Sequence, residues 1–170
     1  MRLTTLLTIA LLAAPALATA GEPAARPQLA VLDFEARNVD PLLAQSLTDA
    51  VAGALRELRV FKVVSQSEIR QMLALEHDRS LLTTCDDASC IAQIGAAVGA
   101  RFVVAGQVVA LEKNKGPLSL RLRLFDMKKA EVQSDETRSK LADAKEALQA
   151  APALALSSVR PILDKEQGFL

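Results

Sequence analysis

The 170-residue chain has no tryptophan, no tyrosine and only five phenylalanines. Platforms for sugars and single-stranded nucleic acid stack rings on their ligands, so neither class fits. Lys plus Arg equals Asp plus Glu, 20 against 20. A dedicated nucleic-acid binder needs a basic excess, and none is present. His77 is the single histidine. With no Gly-x-Ser-x-Gly or His-Glu-x-x-His around it, it reads as a solvated loop residue, and no metal or cofactor is expected. Beyond the N-terminal stretch no run approaches about 18 apolar residues, which argues against a membrane span. No cysteine near the N-terminus can carry a lipid anchor.

What is present begins with an export signal. Arg2 supplies a positive n-region, Leu3 to Leu12 with Ala13, Ala14 and Leu17 an apolar h-region, and Ala18-Thr19-Ala20 a small-x-small cleavage pattern before Gly21. Residues 1–20 are expected to be a cleaved signal peptide, and the mature protein to be periplasmic. Residues 21–27 read as a flexible Pro/Ala lead-in, 28–165 as one α/β domain, and 166–170 as a tail. About 150 mature residues suffice for one sizeable core.

The pattern within that domain alternates strands and helices. Leu29 to Phe34 is a short apolar run of the buried-strand type. Asp40 is placed to cap a helix, with Pro41 at its first position. Leu43, Leu47, Ala50/Val51, Ala54 and Leu58 then form one apolar stripe, with Thr48, Asp49, Arg56 and Glu57 off it. Val60 to Val64 is a second strand candidate. Ser65 to Glu68 resembles a capping box opening a helix with Ile69, Met72 and Leu73 inside. A short helix follows Cys85, capped by Asp86 or Asp87, with Ile91, Ile94 and Val98 inward.

Residues 101–110 are apolar on both parities, which places that strand centrally in a sheet. From Pro117, Leu118, Leu120, Leu122 and Leu124 alternate with Ser119, Arg121 and Arg123, so one face is wet. A polar, marginal strand is expected over 131–138. A last helix should begin near Ala142, break at Pro152 and stop at Pro161. The order β-α-β-α-α-β-β-β-α predicts a mixed α+β fold, one sheet of about five strands packed by helices.

Few residues invite a chemical role. In an exported protein Cys85 and Cys90 point to a structural disulfide. A metal site would need more ligands than Asp86 and Asp87 add, and a redox pair is normally Cys-x-x-Cys. Gly95 and Gly99 lie in and after a helix, so they read as close packing and a helix stop rather than a phosphate cradle. Gly106 marks a bulge or a close backbone approach. Asp33 ends the first strand, where ligands gather in open α/β sheets, although a strand-end aspartate is more often a local turn or cap acceptor. Lys113, Lys115, Arg121, Arg123, Lys128 and Lys129 accompany the third hairpin. They are either a docking surface or a solvated face protected against edge pairing.

With those residues in place, the chain resembles an envelope module shared by three families. They are the curli-secretion lipoproteins, the outer-membrane activators of penicillin-binding proteins and the N-terminal domain of the Tol translocation protein. The resemblance is carried by Leu29-Ala-Val-Leu-Asp33-Phe34, Leu47-Thr48-Asp49, Phe61-Lys-Val-Val64, Ser67-Glu68, Cys85 to Cys90, Ile94-Gly95, Gly99-Ala100 and Val103-Val104-Ala-Gly106. No pair of alternating membrane strands accompanies it, so it implies an interaction domain and not a channel. The resulting expectation is a non-catalytic periplasmic adaptor that binds another envelope protein, with a second copy of itself an allowed partner. The alternatives are an exported hydrolase using carboxylates such as Asp33, and a carrier of a small ligand or lipid.

Overall fold

The apolar run that opens the domain forms a strand, but a broken one. In the computed structural model, which describes residues 26–75, 88–113 and 115–167, β1 spans Gln28–Val31 and β2 spans Glu35–Arg37. Both lie parallel to β4, Phe102–Glu112. Val31 stands opposite Val104 and Glu35 opposite Gln107, so one strand has an extra residue between these pairs. That residue makes a bulge and inverts the alternation of faces. Phe34 consequently joins Leu29 and Val31 in one core, while Ala30 and Leu32 enter another. The Phe34 amide donates to Thr48 Oγ1 at 3.0 Å. Thr48, expected off the apolar stripe, is therefore buried, with its own hydroxyl donating to the Ala44 carbonyl at 2.9 Å.

Local signals fix the ends of the next elements. Helix α1, Pro41–Glu57, starts where Asp40 Oδ1 accepts from the Leu42 amide at 2.9 Å. It buries Ala44, Leu47, Val51, Ala52 and Leu55, leaving Leu43, Ala50, Ala54 and Leu58 at the margin of the contact. After β3, Lys62–Val64, the Glu68 carboxylate accepts from both the amide and the hydroxyl of Ser65 at 2.7 Å. This opens α2, Gln66–Leu75, which buries Ile69 but turns Met72 to solvent. Helix α3, Ala88–Ala97, ends in a Schellman turn. There Ala100 donates to the Gly95 carbonyl at 2.8 Å and Gly99 to that of Ala96 at 3.1 Å, with Gly99 at φ +65°.

The sheet runs β3-β1-β4-β5-β6, with β2 pairing β4 beyond β1. Strand β5, Lys115–Asp126, pairs antiparallel with the central β4, and β6, Glu131–Leu141, pairs antiparallel with β5. The mixed sheet thus has six strands where five were expected, and its polar strand is longer than 131–138. One face packs under α1 and α4, Ala144–Gln167, with Leu118, Leu120, Leu122 and Leu124 inside. On the other face a smaller core of Ile69, Ile91, Ile94, Val103 and Phe125 underlies α2 and α3. That cover stops short of the middle of β5 and β6, whose Arg121, Asp135 and Thr137 stay exposed.

Two features depart from or add to the sequence pattern. Pro152 and Pro161 lie inside a continuous α4, neither breaking nor ending it. Each costs about 3 kcal/mol in a helix interior. Burial of Leu154, Val159 and Ile162 in the core offsets this at about 1.5–3 kcal/mol each. At the start of the β5–β6 turn, buried Asp126 accepts from Arg101 Nε and Nη2 at 3.1 and 3.2 Å, and from the Lys128 and Lys129 amides at 2.9 and 3.2 Å. Burial raises its pKa, but the Arg101 and backbone hydrogen bonds outweigh this and hold the carboxyl below its ordinary value.

Candidate functional site: the open face of the sheet

The strand alternation of β5 that buries four leucines sends Arg121 and Arg123 to the opposite, open face. The bulge after β1 brings Glu35 and Arg37 onto the same face from β2, and β4 adds Gln107. From β6 comes Asp135, directly opposite Arg123. Asp33, Glu35, Arg37, Gln107, Arg121 and Arg123 border an open hollow of about 230 Å³ lined also by Ala105 and Gly106, with Asp135 beside it.

Ion pairs and hydrogen bonds order these side chains. Arg121 grips Asp135 with two parallel bonds, Nε to Oδ1 at 2.7 Å and Nη2 to Oδ2. Such a fork fixes the guanidinium plane as well as its position. Glu35 accepts from Arg37 Nε at 2.5 Å and from Gln107 Nε2 at 2.6 Å. Arg123 lies over the Phe125 ring, 5.4 Å from its centroid. The Arg121 bond, opposed by burial and aided by the charges of Arg121 and Arg123, holds Asp135 below its ordinary pKa. For Glu35 burial acts upward most strongly, yet the bonds from Arg37 and Gln107 and the charges of Arg37 and Arg123 keep its carboxyl lowered. Both acids therefore stay ionised at neutral pH.

The six basic residues singled out in the sequence do not share one patch. Arg121 and Arg123 stand together on the open face, whereas Lys113 and Lys115 lie at one end of β5 and Lys128 and Lys129 past the other. Twelve extended residues separate the two lysine pairs by about 40 Å. Lys129 pairs with Glu131 at 3.7 Å. Asp33, the residue on which a hydrolase would rest, is exposed at the rim of the hollow and pairs with Arg70 of α2. Cys90 is half-buried against the smaller core; Cys85, His77, Asp86 and Asp87 lie outside the described residues. Glu35, Arg37, Gln107 and Asp135 were not singled out in the sequence. Only the polar strand expected over 131–138 hinted at Asp135, and the bulge hid Glu35 and Arg37 of β2.

A second, more apolar groove of about 560 Å³ lies between Val39, Leu43 and Leu118, with Asp40, Asp143 and Lys115 at its border. Among the described residues no group of three or more His, Cys, Asp and Glu could hold a metal, and no helix is long and apolar enough to cross a membrane.

Comparison with known proteins agrees with this architecture. The LpoB C-terminal domain from Escherichia coli matches with a TM-score of 0.54 at 18% identity, covering 67% of this chain and 82% of that one. The LpoB C-terminal domain from Salmonella enterica gives 0.53 at 16%, covering 68% and 84%. TolB from Acinetobacter baumannii gives 0.50 at 18%, covering 80% of this chain but 28% of that one. No curated protein sequence matches. Identities this low speak to the fold alone. The family model described as peptidoglycan-synthase activator LpoB, however, matches residues 5–138, from the N-terminal segment into β6. Of the three envelope families that the sequence resembles, this match selects one: the chain belongs to the peptidoglycan-synthase activator LpoB family.

Proposed function

We propose that the protein is a periplasmic, non-catalytic adaptor that docks on a peptidoglycan synthase and raises its activity. The observation that carries this reading is the family match over residues 5–138. The open face of β4, β5 and β6 supports it as the docking surface, with Arg121 and Arg123 at its centre. An interface draws on such a patch with a few anchors, where a catalyst concentrates its effect in one or two residues. Export and oxidation complete the reading: residues 1–20 are removed, and Cys85 joins Cys90, tying the approach to α3 onto its first turn.

The test is reconstitution. Purified mature protein is added to a peptidoglycan synthase from the same cell, and glycan polymerisation from lipid-linked precursor is followed. The expected result is a saturable rise in rate, together with a cross-linked one-to-one species. Turnover of precursor or glycan by the protein alone, abolished by Asp33→Asn, would establish the hydrolase in its place.

A further inference from the structure

We infer that the hollow on the open face receives a carboxylate from an acidic polypeptide segment of the docking partner. The activator reading says who the partner is; the geometry says what that partner presents. Formal charge is balanced once Asp135 beside the hollow is counted: Arg37, Arg121, Arg123, Asp33 and Glu35 line it, and Asp135 pairs with Arg121. Net charge therefore gives no sign.

Exposure does. The Arg37 side chain is 54% exposed and its partner Glu35 only 21%, while Arg121 is 47% exposed and Asp135 38%. In both pairs the arginine is the more exposed partner, so an incoming surface has more access to N–H donors than to the carboxylates, and the nearer charge dominates because Coulomb energy falls with distance. The paired carboxylates also keep the arginines ordered, so binding costs little side-chain entropy. Each guanidinium has five donors, and Asp135 occupies two on Arg121, leaving others for an incoming acceptor.

Shape selects the occupant further. A concavity of about 230 Å³ admits a side chain, whereas a bilayer surface is flat and cannot reach its floor. The planar carboxylate matches the guanidinium fork in two-point geometry. An acidic segment of a protein supplies both the depth and the charge.

The experiment titrates the isotope-labelled mature protein with three probes while following the arginine Nε–H resonances. The probes are an acetylated and amidated octapeptide of Glu and Ala, its Lys and Ala counterpart, and phosphatidylglycerol vesicles. Shifts of the Arg37, Arg121 and Arg123 signals by the Glu peptide alone are expected, fading as salt rises. Arg121→Gln with Arg123→Gln should weaken that binding about tenfold. Unmoved arginine signals, or signals moved by vesicles or the Lys peptide and not by the Glu peptide, overturn the inference. The same variants are run in the polymerisation assay. If the protein activates no synthase but the Glu peptide still shifts the arginines, the carboxylate site stands and the activator reading falls. If activation is normal while the arginines ignore the peptide and the double variant is indifferent, the site falls and the activator reading stands.

Discussion

Replacing Gly106 with alanine is the sharpest test of how the bulge holds the sheet. A Cβ built at Gly106 would lie 2.2–2.3 Å from three atoms of the Phe34 ring. Carbon atoms rest at about 3.5–4.0 Å, so the overlap exceeds about 1 Å at each contact. The ring has little room to retreat, because Phe34 is buried in the larger core and its amide is tied to Thr48. Overpacking of this kind costs about 1–3 kcal/mol, and three simultaneous clashes place Gly106→Ala at the upper end. Equilibrium urea unfolding of the oxidised mature protein measures it as a lower midpoint with unchanged slope. Phe34→Leu removes the opposing ring atoms, at a cost of about 1–2 kcal/mol in lost apolar burial. In that background Gly106→Ala should cost less than about 1 kcal/mol, a coupling of roughly 2 kcal/mol between the two positions. An equal penalty with and without the ring would show that steric contact with Phe34 is not why this position is glycine.

Three other outcomes follow from the same contacts. Asp126→Asn leaves Arg101 without its anionic partner and should lower stability by about 2 kcal/mol in thermal or urea unfolding, less than for a fully buried pair because Arg101 reaches solvent. The folded pKa of Asp126 lies below the ordinary 3.8, so its contribution is complete above about pH 4 and is lost as pH falls through that lower value; Asp126→Asn should flatten the acid side of the stability profile, and an unchanged profile refutes the pairing. Reversing Arg121 and Arg123 to Glu should reduce synthase activation about tenfold at low salt, with a smaller loss at high salt, while exposed pairs of this kind change stability by about 1 kcal/mol or less. Thiol labelling of native mature protein without reductant should modify neither cysteine, and labelling of both defeats the disulfide.

Local chemistry was legible in the sequence because its partners are only a few residues apart. Asp40 with Pro41, Ser65 with Glu68, and Gly99 after α3 each announce a helix end through contacts within five residues. The doubly apolar run of β4 likewise announces a central strand through its own side chains. What the sequence hides is register. The extra residue between Val31 and Glu35 is visible only against Val104 and Gln107, some 70 positions away. Without it, Glu35 and Arg37 fall on the buried parity and Thr48 has no amide to serve. The prolines of α4 mislead for the converse reason: their local penalty is real, but the tertiary packing that offsets it is not encoded in their neighbours.

Strand β5 ties the candidate site to the core more closely than a loop could. Leu120, Leu122 and Leu124 are fully buried, while Arg121 and Arg123 project from the residues between them. Period-two alternation sets the two arginine Cα atoms about 6.5–7 Å apart, and the packed leucines hold that spacing. Asp135 then fixes the Arg121 fork from the neighbouring strand. A surface ordered in this way loses little freedom when a partner arrives, whereas a loop must lose about 0.5–1.5 kcal/mol for each flexible side chain it immobilises. The division also frees the open positions from the demands of folding. Polar residues there can change to suit a partner while the leucine parity keeps the backbone, and a shared fold at 16–18% identity is the expected consequence. The proposed docking surface and the core therefore sit on opposite sides of one strand, so that a partner docked there would read the spacing that the core maintains.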